Sequence, residues 1–126
     1  MNAWQLLAGE LREGPPEILS TTDDSRAIAL HLRAGEELQE HEVHERAWLV
    51  VVDGEVEIED AGGTATTGGA GLVAEFAPAE RHSVRARSDA RMLLLLVPWP
   101  GNGHPGAMTL EQKAAAREAA AARNSA

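Results

Sequence analysis

Between Arg26 and Val97 the chain is interrupted by a turn signal about every ten residues, a spacing that suits short strands and leaves no room for crossover helices. Arg26 to Leu32 alternates, with Ile28, Leu30 and Leu32 on one side and Ala27, Ala29 and His31 on the other. Gly35 marks the next turn. Ala47 to Val52 is an almost unbroken apolar run, closed by Asp53-Gly54, a dipeptide that reads as a two-residue hairpin. Glu55 to Glu59 sets Val56 and Ile58 against three glutamates, the pattern of a strand with one wet face. Shorter strands are expected at Thr64 to Thr67, Leu72 to Phe76 and His82 to Ala86, and the most apolar one at Arg91 to Val97. Such a series predicts an all-β sandwich or barrel.

Both flanks read differently. Trp4, Leu7 and Leu11 have the spacing of one helical face, and Pro15-Pro16 ends any helix there. After Pro98, a Pro/Gly-rich stretch leads to Thr109. With Gln112 three residues on, Thr109 starts a capping-box pattern for an Ala-rich helix to about Ala122. The organisation expected is an N-terminal arm (1–25), a barrel core (26–98), and a loop with a C-terminal helix (99–126).

Composition removes several functions. The 126 residues include 11 Lys+Arg against 20 Asp+Glu, a net charge of −9. That balance offers neither the basic surface that nucleic acid requires nor one for an anionic membrane. No cysteine is present, so disulfides are excluded and a metal would need imidazole or carboxylate ligands. Aromatics make up only 3% of the chain, which leaves the packing to aliphatic residues. The sequence shows no secretory leader pattern and its longest apolar run is short, so the cytoplasm is the expected location. Gly62-Gly63 and Gly68 to Gly71 have no Walker-type lysine after them and read as turns. No serine or cysteine has the setting of a nucleophile.

The segment from Gly35 to Gly54 carries a resemblance. Gly35, five residues and His41, with Gly54 further on, are similar to the first motif of the cupins. Gly71 and the run Pro78-Ala79-Glu80-Arg81-His82 resemble the second. The resemblance implies a double-stranded β-helix (jelly-roll) barrel, here with the Ala-rich helix outside it, and a homodimer paired through strands near the N-terminus. Two of the family's ligand positions are altered: Val43 stands at that of the second histidine and Ala47 at that of the glutamate. Ala77 and Ala79 likewise replace a proline and a glycine of the second motif.

What the resemblance implies for function follows from the residues that remain. His41 and His82 are candidate ligands for a divalent metal (Fe, Mn, Ni or Zn) at the barrel mouth. His44 joins them only if a bulge after His41 turns it inward, because strand alternation otherwise separates the two. Glu45 or His31 is a further possible donor. His31, Val43, Ala47, Trp48 and Glu75 are candidates to line a pocket. His31 faces either cavity or solvent. Glu75 is either a buried acid-base group or a charge on an edge strand, and the latter is the plainer reading. The partner expected is a small molecule. Three activities stay open: a metal-dependent dioxygenase or isomerase/cyclase, a metal-free isomerase/cyclase working by proton transfer at a histidine, and a ligand sensor without catalysis.

Overall fold

Alternation builds the strands, and the turns between them decide how those strands are distributed over two sheets. The computed structural model describes residues 1–12, 14–41 and 44–97, with the backbone alone for 39–41. Nine strands follow in order: β1 (Glu17–Thr21), β2 (Arg26–Leu32), β3 (Glu37–His41), β4 (Arg46–Asp53), β5 (Val56–Asp60), β6 (Ala65–Gly68), β7 (Val73–Phe76), β8 (His82–Ala86) and β9 (Ala90–Val97). They form two sheets, β1-β2-β9-β4-β7 and β3-β8-β5-β6, antiparallel throughout. The all-β class is what the sequence predicts, and no helix occurs among the described residues. The expected C-terminal helix lies outside them.

Only the β1–β2 and β5–β6 turns join neighbours in one sheet; the other connections change sheet. Asp53-Gly54 is therefore a corner and not the hairpin its sequence suggests. β4 pairs with β7 and β9, whereas β5 pairs with β6 and β8. Gly54 takes φ 86°. A Cβ there would collide with the Asp89 carbonyl oxygen and lie 2.8 Å from Ala90 Cα, so only glycine fits.

The core lies between the sheets. Leu30 and Leu32 from β2, Ala47, Leu49 and Val51 from β4, and Met92 and Leu96 from β9 face Val56, Ile58, Val84 and Ala86 of the other sheet. Each Leu, Ile, Val or Met among them contributes about 1.5–3 kcal/mol by leaving water. The end of the barrel that holds Gly35, Gly54 and Ser88 is cross-tied. Gly35 N donates to Ala86 O at 2.8 Å, Ala34 N to Asp89 Oδ1 at 2.8 Å, and Glu55 N to Ser88 Oγ at 2.9 Å. The opposite end receives the termini of β3, β5, β7 and β9 and is where His41 and His82 are paired.

The N-terminal residues are not helical. Arg91 captures the carbonyls of Leu6, Ala8 and Gly9, and Gly9 at φ 73° is incompatible with a continuing helix. Trp4 and Leu7 remain exposed.

Candidate functional site

The second sheet delivers His82 to the open end of the barrel. Along β8, His82, Val84 and Ala86 point inward and Ser83 and Arg85 outward, as strand alternation requires. His82 is 3% exposed, against Phe76 at the end of β7. The two rings stack with centroids 3.8 Å apart and planes 9° from parallel.

The turn before β8 fixes the chemistry of that ring. Glu80 N donates to Ala77 O at 3.0 Å and Ala77 N to Glu80 Oε1 at 3.1 Å, so the loop is closed by a reciprocal pair. Pro78 is fully buried within it, and Ala79 takes the left-handed φ of 62°, a conformation that suits glycine better. The loop presents the Glu80 carbonyl to His82 Nδ1 at 3.2 Å. A carbonyl can only accept, so Nδ1 carries the hydrogen and Nε2 of the neutral ring bears the lone pair. Metal-binding imidazoles and proton-accepting ones are held in this way.

His82 borders two spaces. One is an inner chamber of about 220 Å³. Its walls are Leu30, Leu38, Leu49, Val84 and Leu94, with Phe76 beside His82 and Pro16 of the arm at its edge. The other is a wider polar cleft of about 540 Å³ on the solvent side, where Glu37, Glu59, Asp60 and Arg81 gather.

The remaining sequence candidates divide by face. Cα of His41 is paired with that of His82 across β3 and β8, after a register shift between Leu38 and His41. That irregularity precedes His41, whereas the one considered from sequence follows it. His44 is half-buried and Glu45 is buried, both in the connection into β4 at this same end. Ala47 is wholly buried in the core opposite Phe76. Val43 lies outside the described residues.

His31, Trp48 and Glu75 stand on the outer face of the five-stranded sheet, away from the chamber. Trp48 is opposite Glu75 on β7 and Leu95 on β9. Glu75 makes an exposed 3.0 Å ion pair with Arg46. His31 is covered by the arm, its Nδ1 accepting from Arg12 N–H at 2.8 Å. Its pKa is lowered by burial first and then by the charges of Arg91 and Arg12, with Glu17 opposing them.

Sequence reasoning gave Glu45 a passing role, and its burial marks it as a stronger candidate: a carboxylate among apolar strands is costly unless partnered. Its position directly before an apolar run was the available signal. Among the described residues no three His, Asp or Glu side chains converge as a metal-binding group, and no helix is long and apolar enough to cross a membrane.

Known proteins resemble the chain at the level of this fold. The family model for the cupin domain matches residues 29–98. An RmlC-like cupin protein from Desulfovibrio desulfuricans superposes with a TM-score of 0.71 at 24% identity, covering 78% of this chain and 97% of its own. A cupin superfamily protein from Desulfitobacterium hafniense gives 0.67 at 17% identity, with 79% and 94% covered. A cupin 2 conserved barrel domain protein from Leptotrichia buccalis gives 0.63 at 25% identity, with 71% of this chain and 44% of that one covered. No curated protein matches the sequence. The family match spans more than half of the chain and includes strands β3 and β8, which carry His41 and His82: the chain belongs to the cupin family.

Proposed function

We propose that the inner chamber binds a small, mostly apolar molecule whose single polar group meets His82. The observation that carries this reading is His82 itself, a buried imidazole at the edge of an otherwise aliphatic chamber of about 220 Å³. An apolar cavity of about 150 Å³ already accepts benzene, so a six-membered ring with a substituent fits. The rim supports a neutral or cationic polar end, because Glu37, Glu59 and Asp60 outnumber Arg81 there and disfavour an anion. Nε2 of His82 can accept a proton or hydrogen bond from such a group. This is the step that a metal-free isomerase or cyclase would require, and a non-catalytic sensor would use the same contact for binding alone.

A second reading is favoured by the register. Directly opposed residues of an antiparallel pair share a face, so the pairing of His41 with His82 favours this reading by putting the two residues on one face of β3 and β8. A divalent ion (Fe, Mn, Ni or Zn) would be held there by His41 and His82, with His44 and Glu45 the further donors at this end. Bound so, it would supply a Lewis acid beside the chamber. The Nδ1–H bond of His82 to the Glu80 carbonyl fits such a ligand, because it leaves Nε2 as the donor atom.

Two experiments separate these readings. Titration with phenol, an apolar ring with one hydroxyl, is expected to shift the ring resonances of His82 and Phe76 and to lose affinity in His82→Ala. No shift at either ring contradicts the chamber as a binding site. Metal content by mass spectrometry after incubation with Fe, Mn, Ni and Zn is expected to be near-stoichiometric in the wild type and lost in both His41→Ala and His82→Ala. Metal-free wild type retires the second reading. We also infer a homodimer. It is supported by the edge of β1, which has no strand partner among the described residues, and by exposed Trp48, Val73 and Val97 on the outer sheet face, surfaces that pairing would cover. A monomer mass in light scattering at micromolar concentration contradicts it.

A further inference from the structure

We propose that the N-terminal arm is a pH-sensitive strap: neutral His31 locks it to the outer sheet face, protonated His31 releases it, and release opens the inner chamber. The opening half rests on the chamber being the ligand site.

The arm is held by few contacts, and they are mostly polar. Arg91 on β9 grips three carbonyls, with Nη1 donating to Leu6 O and Ala8 O at 3.2 Å each and Nη2 to Gly9 O at 2.6 Å. Further along, Arg12 N–H donates to His31 Nδ1 at 2.8 Å, and the Arg12 guanidinium reaches Glu17 at 3.3 Å. That ion pair is exposed on both sides and holds the arm weakly. Trp4 and Leu7 are 48% and 57% exposed and Leu6 and Leu11 only half-buried, so apolar burial adds a modest part to the polar anchors. With so few anchors, the loss of one counts heavily.

Of these anchors His31 alone titrates near neutral pH. Its Nδ1 accepts a hydrogen bond, so it must bear a lone pair; protonation places a hydrogen there and turns an attraction into a clash of two donors. The charges facing the ring act in the same direction. Arg12 of the arm and Arg91, its cross-strand partner on β9, are both cationic. Glu17 of β1 opposes them, and Asp53 of β4 stands beyond Arg91 in the ladder. The ring's pKa is accordingly lowered from its ordinary value, by burial first and then by Arg91 and Arg12. The sign follows: the lock is complete above about pH 6.5, the unfolded-state value, and is lost as pH falls through the lower folded-state value.

The strap reaches the chamber through Pro15-Pro16. Only three residues lie between Arg12 and Pro16, which edges the chamber together with Leu30. Leu30 is the neighbour of His31 on β2, with its side chain on the inner face. Pro15 and Pro16 fix φ only at the chamber end of this span, so release at Arg12 frees the chain that leads to the chamber edge.

The test uses the full-length chain and two readouts. Amide protection factors for residues 5–12, corrected for intrinsic exchange, report the strap. The rate of benzene uptake, followed on the Leu30 and Leu94 methyl resonances, reports the chamber. Between about pH 8 and about pH 4.5, wild-type protection at Arg12 is expected to fall about fivefold, the worth of one hydrogen bond, while benzene uptake accelerates. His31→Gln retains an acceptor and cannot be protonated, so it is expected to show neither change. The proposal is overturned by wild-type protection that does not depend on pH, by the same loss in His31→Gln, or by a loosened arm with unchanged benzene uptake. Failure of the chamber to bind phenol leaves the amide readout of the His31 lock intact, so the lock and the chamber reading fail separately.

Discussion

His82 and His31 lie on opposite sides of the barrel wall, and their backbones put their rings to opposite uses. At His82 a backbone carbonyl takes the Nδ1 hydrogen, which leaves the lone pair on Nε2 beside the chamber. At His31 a backbone N–H donates to Nδ1, which makes Nε2 the protonated nitrogen of the neutral ring. A backbone group selects the tautomer in each case, and the tautomer decides whether the ring can serve a ligand or hold a segment. Both side chains come from alternating strands. The face sets their surroundings, while the adjoining turn at His82 and a segment far earlier in the chain at His31 set their chemistry.

Breaking the inner side should have the largest effect. Phe76→Ala removes the ring stacked on His82 together with a 3%-exposed core side chain. It is expected to cost about 3–5 kcal/mol in urea unfolding and to abolish the phenol response at His82. A loss under about 1 kcal/mol would show that the chamber end is loosely packed. The next contrast is between the histidines. His82→Ala vacates a buried site and is expected to cost about 2 kcal/mol or more, whereas His31→Ala removes one hydrogen bond at the surface, worth about 1 kcal/mol. Equal costs would contradict the assignment of inner and outer roles. The smallest effect is at the turn that fixes the His82 tautomer. Ala79 is at φ 62°, and Ala79→Gly relieves that strain at some entropic cost, for an expected gain of about 0.5 kcal/mol. A loss of stability there would mean that the left-handed residue is not what strains the loop.

The interior of this fold was legible in the sequence, and two of its four edge strands were not. Strands β2, β4, β5, β8 and β9 pack on the core and carry alternation or apolar runs strong enough to place them within a residue or so. Strands β1 and β3 went unread, and both are sheet edges. Glu37–His41 has Leu38 as its one apolar residue, which is too little to show a period. Asp53-Gly54 was read as a hairpin because local chemistry specifies a reversal but not which sheet receives the next strand. His82 was legible through its distance from Gly71 and Pro78. Its tautomer was not, since that depends on where the Glu80 carbonyl points. His31 was left between cavity and solvent; it meets neither alone, because an arm some twenty residues earlier covers it.

The most direct test of the contrast is a long-range proton–nitrogen NMR spectrum of the imidazoles at about pH 8, repeated after addition of zinc. The account predicts His82 with hydrogen on Nδ1 and His31 with hydrogen on Nε2, and a zinc response at His82 that leaves His31 unmoved. The same tautomer at both rings, or zinc acting on His31 in place of His82, would contradict it.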